Sequence, residues 1–159
     1  MCDKNIKVIC RKMTMDDIPA VGRMWARLME ERKIPFHEFD EEERTKFMIH
    51  LAKMFEYPSE AFAFVCFEED DPFPIGFTTG SLRGHVCAVK ELVVNLDWIY
   101  VDRNYRQTDA FMLLTAKGVE WAKGRSSLLQ GEVALENVAR LEGMGFRVAN
   151  VKMIKRIGD

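Results

Sequence analysis

The stretch from Leu96 to Ala122 constrains the fold most. Leu96-Asp97-Trp98-Ile99-Tyr100-Val101 is rich in β-branched and aromatic residues and reads as a buried strand. Asp102 to Phe111 is polar and loop-like, and Met112 to Ala122 reads as a helix. A strand that passes through a short loop into a helix leaves the first helical N–H groups unpaired at the positive end of the dipole. That is a ready anion site. The loop into that helix ends Arg106-Gln107-Thr108-Asp109-Ala110-Phe111, and the strand before it ends Ile99-Tyr100-Val101.

The remaining chain supplies partners for this unit. Ile6 to Met13 alternates and predicts a strand. Thr14 with Asp16 and Asp17 predicts a capped helix start, and Ile18, Val21, Trp25 and Leu28 recur at helical spacing to near Arg32. Lys33 to Phe39 predicts a loop. Asp40 then caps a helix whose apolar face is Phe47, Met48, Leu51, Met54 and Phe55. Ala61 to Phe67 and Ile75 to Leu82 predict a hairpin about an acidic, proline-containing turn. Arg83 to Asn95 is ambiguous. Lys123-Gly124 predicts the end of the long helix, and Ser127 to Val133 a strand. Glu136 to Gly143 predicts a short helix, and Arg147 to Arg156 a last strand. The order βααβββαβαβ argues for one α/β (α+β) domain over residues 1–159. Its mixed, mostly antiparallel central sheet would have about six or seven strands flanked by about four helices.

Composition narrows the function classes. A net charge of −2 offers no basic field for nucleic acid. No apolar run approaches the roughly 20 residues that span a bilayer, and the N-terminus lacks an apolar signal region. The four cysteines have no CxxC spacing, which fits a reducing, cytoplasmic setting. His37, His50 and His85 are too scattered for a metal site. No Ser–His or Cys–His nucleophile pattern stands out.

The chain resembles the GNAT superfamily of N-acetyltransferases. Their signature after the fourth strand is Val, a few polar residues, then Arg/Gln-x-x-Gly-x-Gly/Ala opening a long helix; Val101 and Arg106 match it. Asn137-Val138-Ala139-Arg140-Leu141-Glu142-Gly143-Met144-Gly145-Phe146 is similar to a second family segment, shortened by a few residues. The resemblance covers nearly the whole chain in element order. It implies acetyl-CoA as co-substrate, with pantetheine along Ile99, Tyr100 and Val101 and pyrophosphate at Arg106 to Phe111. It also implies a small-molecule or protein amine as acceptor, and a homodimer as one form of assembly. Phe36, His37 and Phe39 would fall where the family shapes its acceptor pocket, either lining it or covering the sheet.

The departures from that pattern sit at functional positions. Asp109 and Phe111 replace the two glycines whose bare backbone approaches pyrophosphate. Leu141 stands where many members place a tyrosine that protonates the leaving thiolate; Tyr100 and Tyr105 lie on another element. Asp97 is the candidate base for the acceptor amine; the alternative is a strand-end carboxylate that bonds a neighbouring loop. On an unbroken strand Asp97 shares a face with Ile99 and Val101, opposite Trp98 and Tyr100. Two functions follow: transfer of an acetyl group from acetyl-CoA to a primary amine, or a catalytically inactive GNAT-fold binding or structural protein that has lost acetyl-CoA.

Overall fold

The computed structural model describes residues 6–32, 39–85, 88–132 and 137–148. Strand β1 (Val8–Lys12) is followed by helices α1 (Ile18–Arg32) and α2 (Glu41–Met54). Strands β2 (Ala61–Glu68), β3 (Pro74–His85) and β4 (Ala88–Val101) form a meander. Helix α3 (Ala110–Ala122), strand β5 (Leu129–Gly131) and helix α4 (Val138–Gly143) complete the order. Short 3-10 turns at Met15–Asp17 and Arg103–Tyr105 lead into α1 and α3.

The described residues hold a five-stranded sheet in the order β1-β2-β3-β4-β5. Every pairing is antiparallel except β4 with β5, which is parallel. The architecture is thus the expected mixed, mostly antiparallel sheet with four α-helices, at a strand count below six or seven. The expected last strand lies largely outside the described residues; Arg147 and Val148 are described and are not in a strand. The ambiguous stretch before Asn95 belongs to the β3–β4 hairpin, which pairs out to His85 and Ala88.

Caps predicted from sequence fix the helix starts. The Asp17 carboxylate accepts from the backbone N–H and the hydroxyl of Thr14, at 2.8 and 3.0 Å. It also takes both guanidinium nitrogens of Arg11, at 2.7 and 3.0 Å. Asp40 accepts from the N–H of Glu43 at 2.8 Å and closes a capping box at α2.

The sheet is buried on both faces. Under α1 and α2, Val21, Trp25, Leu28, Phe47 and Leu51 meet Val65, Phe67, Phe77 and Tyr100. Under α3, Phe111, Leu114 and Trp121 meet Phe64, Cys66, Leu96, Ile99 and Val101, and Leu141 of α4 joins them. Two buried faces explain why β2 is a continuous apolar run rather than an alternating one. Helix α4 ends in a Schellman motif: Phe146 donates to Leu141 and Gly145 to Glu142, with Gly145 at φ 91°.

Candidate active site

The site is built where β4 and β5 part. Their pairing runs Val94–Leu129, Asn95–Gln130, Leu96–Gly131 and stops there. On the other side of β4, Thr79 pairs with Trp98 and its neighbour Gly80 with Leu96, so Asp97 is an extra residue in a β-bulge. Gly80 is required at this rung. A Cβ on it would lie 2.4 Å from the Phe62 ring and 2.5 Å from the Asn95 carbonyl.

Beyond the bulge, the β4 backbone has a defined polarity. The Asp102 N–H donates to the Ile75 carbonyl at 2.8 Å, which sets the antiparallel phase with β3. By alternation Tyr100 and Trp98 bond β3, whereas Ile99 and Val101 turn N–H and C=O toward the edge that β5 has left. Tyr100, expected with Ile99 and Val101 along pantetheine, thus turns its backbone to β3 rather than to that edge.

The bulge also corrects the expected facing of Asp97. Leu96, not Asp97, joins Ile99 and Val101 in the core under α3. Asp97 instead accepts from the Ser81 hydroxyl at 2.8 Å, the Asn95 amide at 2.6 Å and the Arg83 guanidinium at 2.7 Å. An ionised carboxylate offers about four lone-pair directions. These three donors leave one, on the oxygen that Ser81 touches.

The loop from Val101 to α3 is a chain of local bonds. Asp102 caps the 3-10 turn by accepting from Asn104. The Thr108 hydroxyl donates to the Tyr105 carbonyl at 2.6 Å and accepts from the Ala110 N–H at 3.3 Å; Asp109 is the N-cap of α3 and its side chain makes no capping bond. Leu113 makes the first i→i−4 bond, to Asp109. The N–H groups of Phe111 and Met112 therefore lie in the turn that no helical carbonyl serves. Asp109 and Gln107 are exposed and Ala110 is buried. The Phe111 ring is buried under α3 with Ile99, Val101 and Leu114, so it does not stand in the loop. Of the two replaced glycines, only Asp109 adds a side chain on the solvent side.

The Arg106 side chain reaches back to α1 and β4. Its guanidinium pairs with Glu31, at the end of α1, and its Nε donates to the Val101 carbonyl at 3.2 Å. Glu31 also takes Arg103 at 3.0 Å and the Tyr100 hydroxyl at 3.3 Å. Burial, with the negative charge of Glu31 behind it, pushes the Tyr100 hydroxyl up to about 12. The Tyr105 hydroxyl donates to Glu68 at 3.2 Å. The phenols nearest the loop are thus engaged with carboxylates, and Leu141 is core.

Two residues of this site carried no local sequence signal for their role. Glu31 lies 75 positions from Arg106. Arg140 of α4 donates to the Arg106 carbonyl at 3.2 Å and ties α4 to the loop; it was visible only as part of the second family-like segment. Phe39 packs edge-on to Trp25, with ring centroids 5.1 Å apart. Phe36 and His37 lie outside the described residues. Among the described residues no group of three His, Cys, Asp or Glu side chains could hold a metal ion, and no helix is long and apolar enough to cross a membrane.

Comparison with solved structures decides the fold. Glucosamine-6-phosphate N-acetyltransferase from Arabidopsis thaliana superposes with a TM-score of 0.72 at 12% identity, over 96% of this chain and 99% of that one. The chain has the GNAT fold. The aminoglycoside N-acetyltransferase AAC(6')-Iy, in complex with CoA, matches with a TM-score of 0.71 at 17% identity, over 99% of both chains. A transcriptional regulator from Bacillus halodurans C-125 matches as well, at 0.71 and 16%, over 95% of this chain and all of that one. At these identities the GNAT likeness fixes architecture and leaves activity to the site. No protein-family model and no curated protein sequence matches the chain.

Proposed function

We propose that this protein is an N-acetyltransferase that takes acetyl-CoA as co-substrate and a primary amine, on a small molecule or a protein, as acceptor. The observation that carries the proposal is the outward-turned backbone of Ile99 and the outward N–H of Val101, whose carbonyl Arg106 takes, ending at the open first turn of α3. An amide-bearing pantetheine arm can add to such an edge as a strand would. Its pyrophosphate then reaches the N–H groups of Phe111 and Met112 and the positive end of the α3 dipole. Gln107 and Thr108 precede that turn in the chain, and Arg106 would bind the pyrophosphate by exchanging Glu31 for it.

Transfer needs a neutral amine to attack the thioester carbonyl, with the C–S bond breaking as the C–N bond forms. Asp97 is the proposed base, through the one lone pair that Ser81, Asn95 and Arg83 leave. The Ile99 N–H, just past the bulge, is suited to hold the thioester oxygen as charge develops on it.

Calorimetric titration with acetyl-CoA tests the proposal. Binding heat and a raised melting temperature are expected, since a ligand at 100 times its Kd stabilises by about 2.7 kcal/mol. No heat and no shift at millimolar acetyl-CoA would sink it. With an acceptor in hand, Asp97→Asn should lower kcat at least tenfold while the protein still binds acetyl-CoA; an unchanged kcat removes Asp97 as base.

A second function is favoured by one observation: Glu31 already occupies Arg106. In a binding or structural protein without acetyl-CoA that pair is simply a brace between α1 and the loop. Glu31→Gln separates the two. An enzyme whose pyrophosphate competes with Glu31 gains CoA affinity several-fold on that change, and a brace gives no CoA binding in either form.

A further inference from the structure

Strands β1 and β2 carry a cysteine each on one rung of the sheet: Cys10 and Cys66 are register partners. Backbone bonds identify the kind of rung. Glu69 donates to the Lys7 carbonyl and Met13 to the Ala63 carbonyl, so the odd-numbered residues of β1 make the hydrogen-bonded pairs. Cys10 and Cys66 are therefore a non-hydrogen-bonded pair. Such pairs bring their Cα atoms to about 4.5 Å, within the roughly 4.4–6.8 Å that a disulfide spans. Both thiols are free.

The two thiols are unequal. Cys66 is fully buried, beside Gly76 of β3 and beneath α3; Cys10 is only part-buried. The neighbouring Cys66 thiol lowers the pKa of Cys10 against its own burial, and the Lys117 ammonium on α3 acts in the same direction. The Cys10 sulfur and burial push Cys66 up. Cys10 is thus the more acidic and more accessible sulfur, with a second thiol already aligned behind it.

We propose that Cys10 and Cys66 form a peroxide-reactive pair that closes to a cross-strand disulfide between β1 and β2. The Cys10 thiolate attacks one peroxide oxygen, the O–O bond breaks, and Cys10 becomes a sulfenic acid as hydroxide leaves. The Cys66 sulfur then displaces that oxygen. The S–S bond forms, the S–O bond breaks, and the hydroxyl departs with the Cys66 proton as water. The two thiols lose two electrons, and the peroxide gains them. An added dithiol reverses the bond. The product pins the edge strand β1 to the sheet directly beneath α3, the helix whose N-terminus belongs to the candidate site.

The test uses the full chain with Cys2→Ser and Cys87→Ser, because those two cysteines lie outside the described residues. The reduced protein is treated with stoichiometric hydrogen peroxide, then alkylated in denaturant and mapped by mass spectrometry. Cys10 and Cys66 should become resistant to alkylation together, in a cross-linked peptide two hydrogens lighter than its parts, and dithiothreitol should restore both. Sulfinic or sulfonic acid at Cys10 with Cys66 alkylated overturns the proposal, as does full alkylation of both. In the same background Cys10→Ser should leave Cys66 fully alkylated after peroxide. Loss of the Cys66 thiol there contradicts the order of attack.

Discussion

Asp17 shows how a single side chain can hold several backbone elements at once. Its carboxylate takes the Arg11 guanidinium from the end of β1 and the N–H and hydroxyl of Thr14 at the chain reversal into α1. Burial alone would raise its pKa; the bonds from Arg11 and Thr14 overcome that and hold the carboxyl below its ordinary value. A carboxylate whose folded pKa lies below its unfolded one stabilises the fold above the unfolded value, about 3.9. The contribution is lost as pH falls through the folded pKa. Asp17→Asn is therefore expected to cost about 1–3 kcal/mol at pH 7, and the difference from wild type should shrink steadily in urea melts taken from pH 5 down to pH 2. A difference that stays constant over that range would mean that the cap acts by shape and not by charge.

At the scale of elements, the loop and first turn of α3 separate two side chains that look equivalent in sequence. Asp109 and Phe111 both replace glycines of the family pattern, but they point to opposite environments. Phe111 is part of the core under α3, so Phe111→Ala should cost about 3–5 kcal/mol and leave CoA affinity unchanged in whatever protein remains folded. Asp109 is exposed beside unpaired N–H groups and meets a pyrophosphate with like charge. Asp109→Gly should tighten CoA binding several-fold, with a small stability change because the Asp109 side chain makes no capping bond and glycine is tolerated at an N-cap. Equal affinity in wild type and Asp109→Gly, measured by calorimetry at low salt, would remove Asp109 as the obstruction. The same region marks how far sequence alone reached. Period and caps placed α1, α2 and α3, because apolar spacing and capping residues are local properties. The bulge at Asp97 was invisible, since the sequence reads as one unbroken strand and only the register with Thr79 and Gly80 exposes the extra residue. The Glu31 brace was invisible for another reason: it joins helix and loop across most of the chain, and either partner alone is an ordinary surface charge.

At the scale of the molecule, one sheet serves two cores. Leu51 lies fully buried under α2 on one face, and Leu114 fully buried under α3 on the other. Strands β2, β3 and β4 send side chains into both, so neither face can come apart without unpairing the strands that the other needs. Leu51→Ala and Leu114→Ala should each cost about 2–5 kcal/mol. The two sites share no packing partner, so the double variant should lose the sum to within about 0.5 kcal/mol. All three variants should still unfold in one transition, with tryptophan fluorescence and far-UV circular dichroism giving the same midpoint. The fluorescence is informative because Trp25 sits on one face and Trp121 on the other. Two resolved transitions in Leu114→Ala would mean that the α3 face is a separate unit. Ligand linkage then extends the test to the site. If acetyl-CoA binds between β4 and α3, it should raise the melting temperature of Leu51→Ala as much as that of wild type, because binding to a cooperative unit stabilises all of it. A shift confined to the α3 face would place the binding energy outside that cooperative unit.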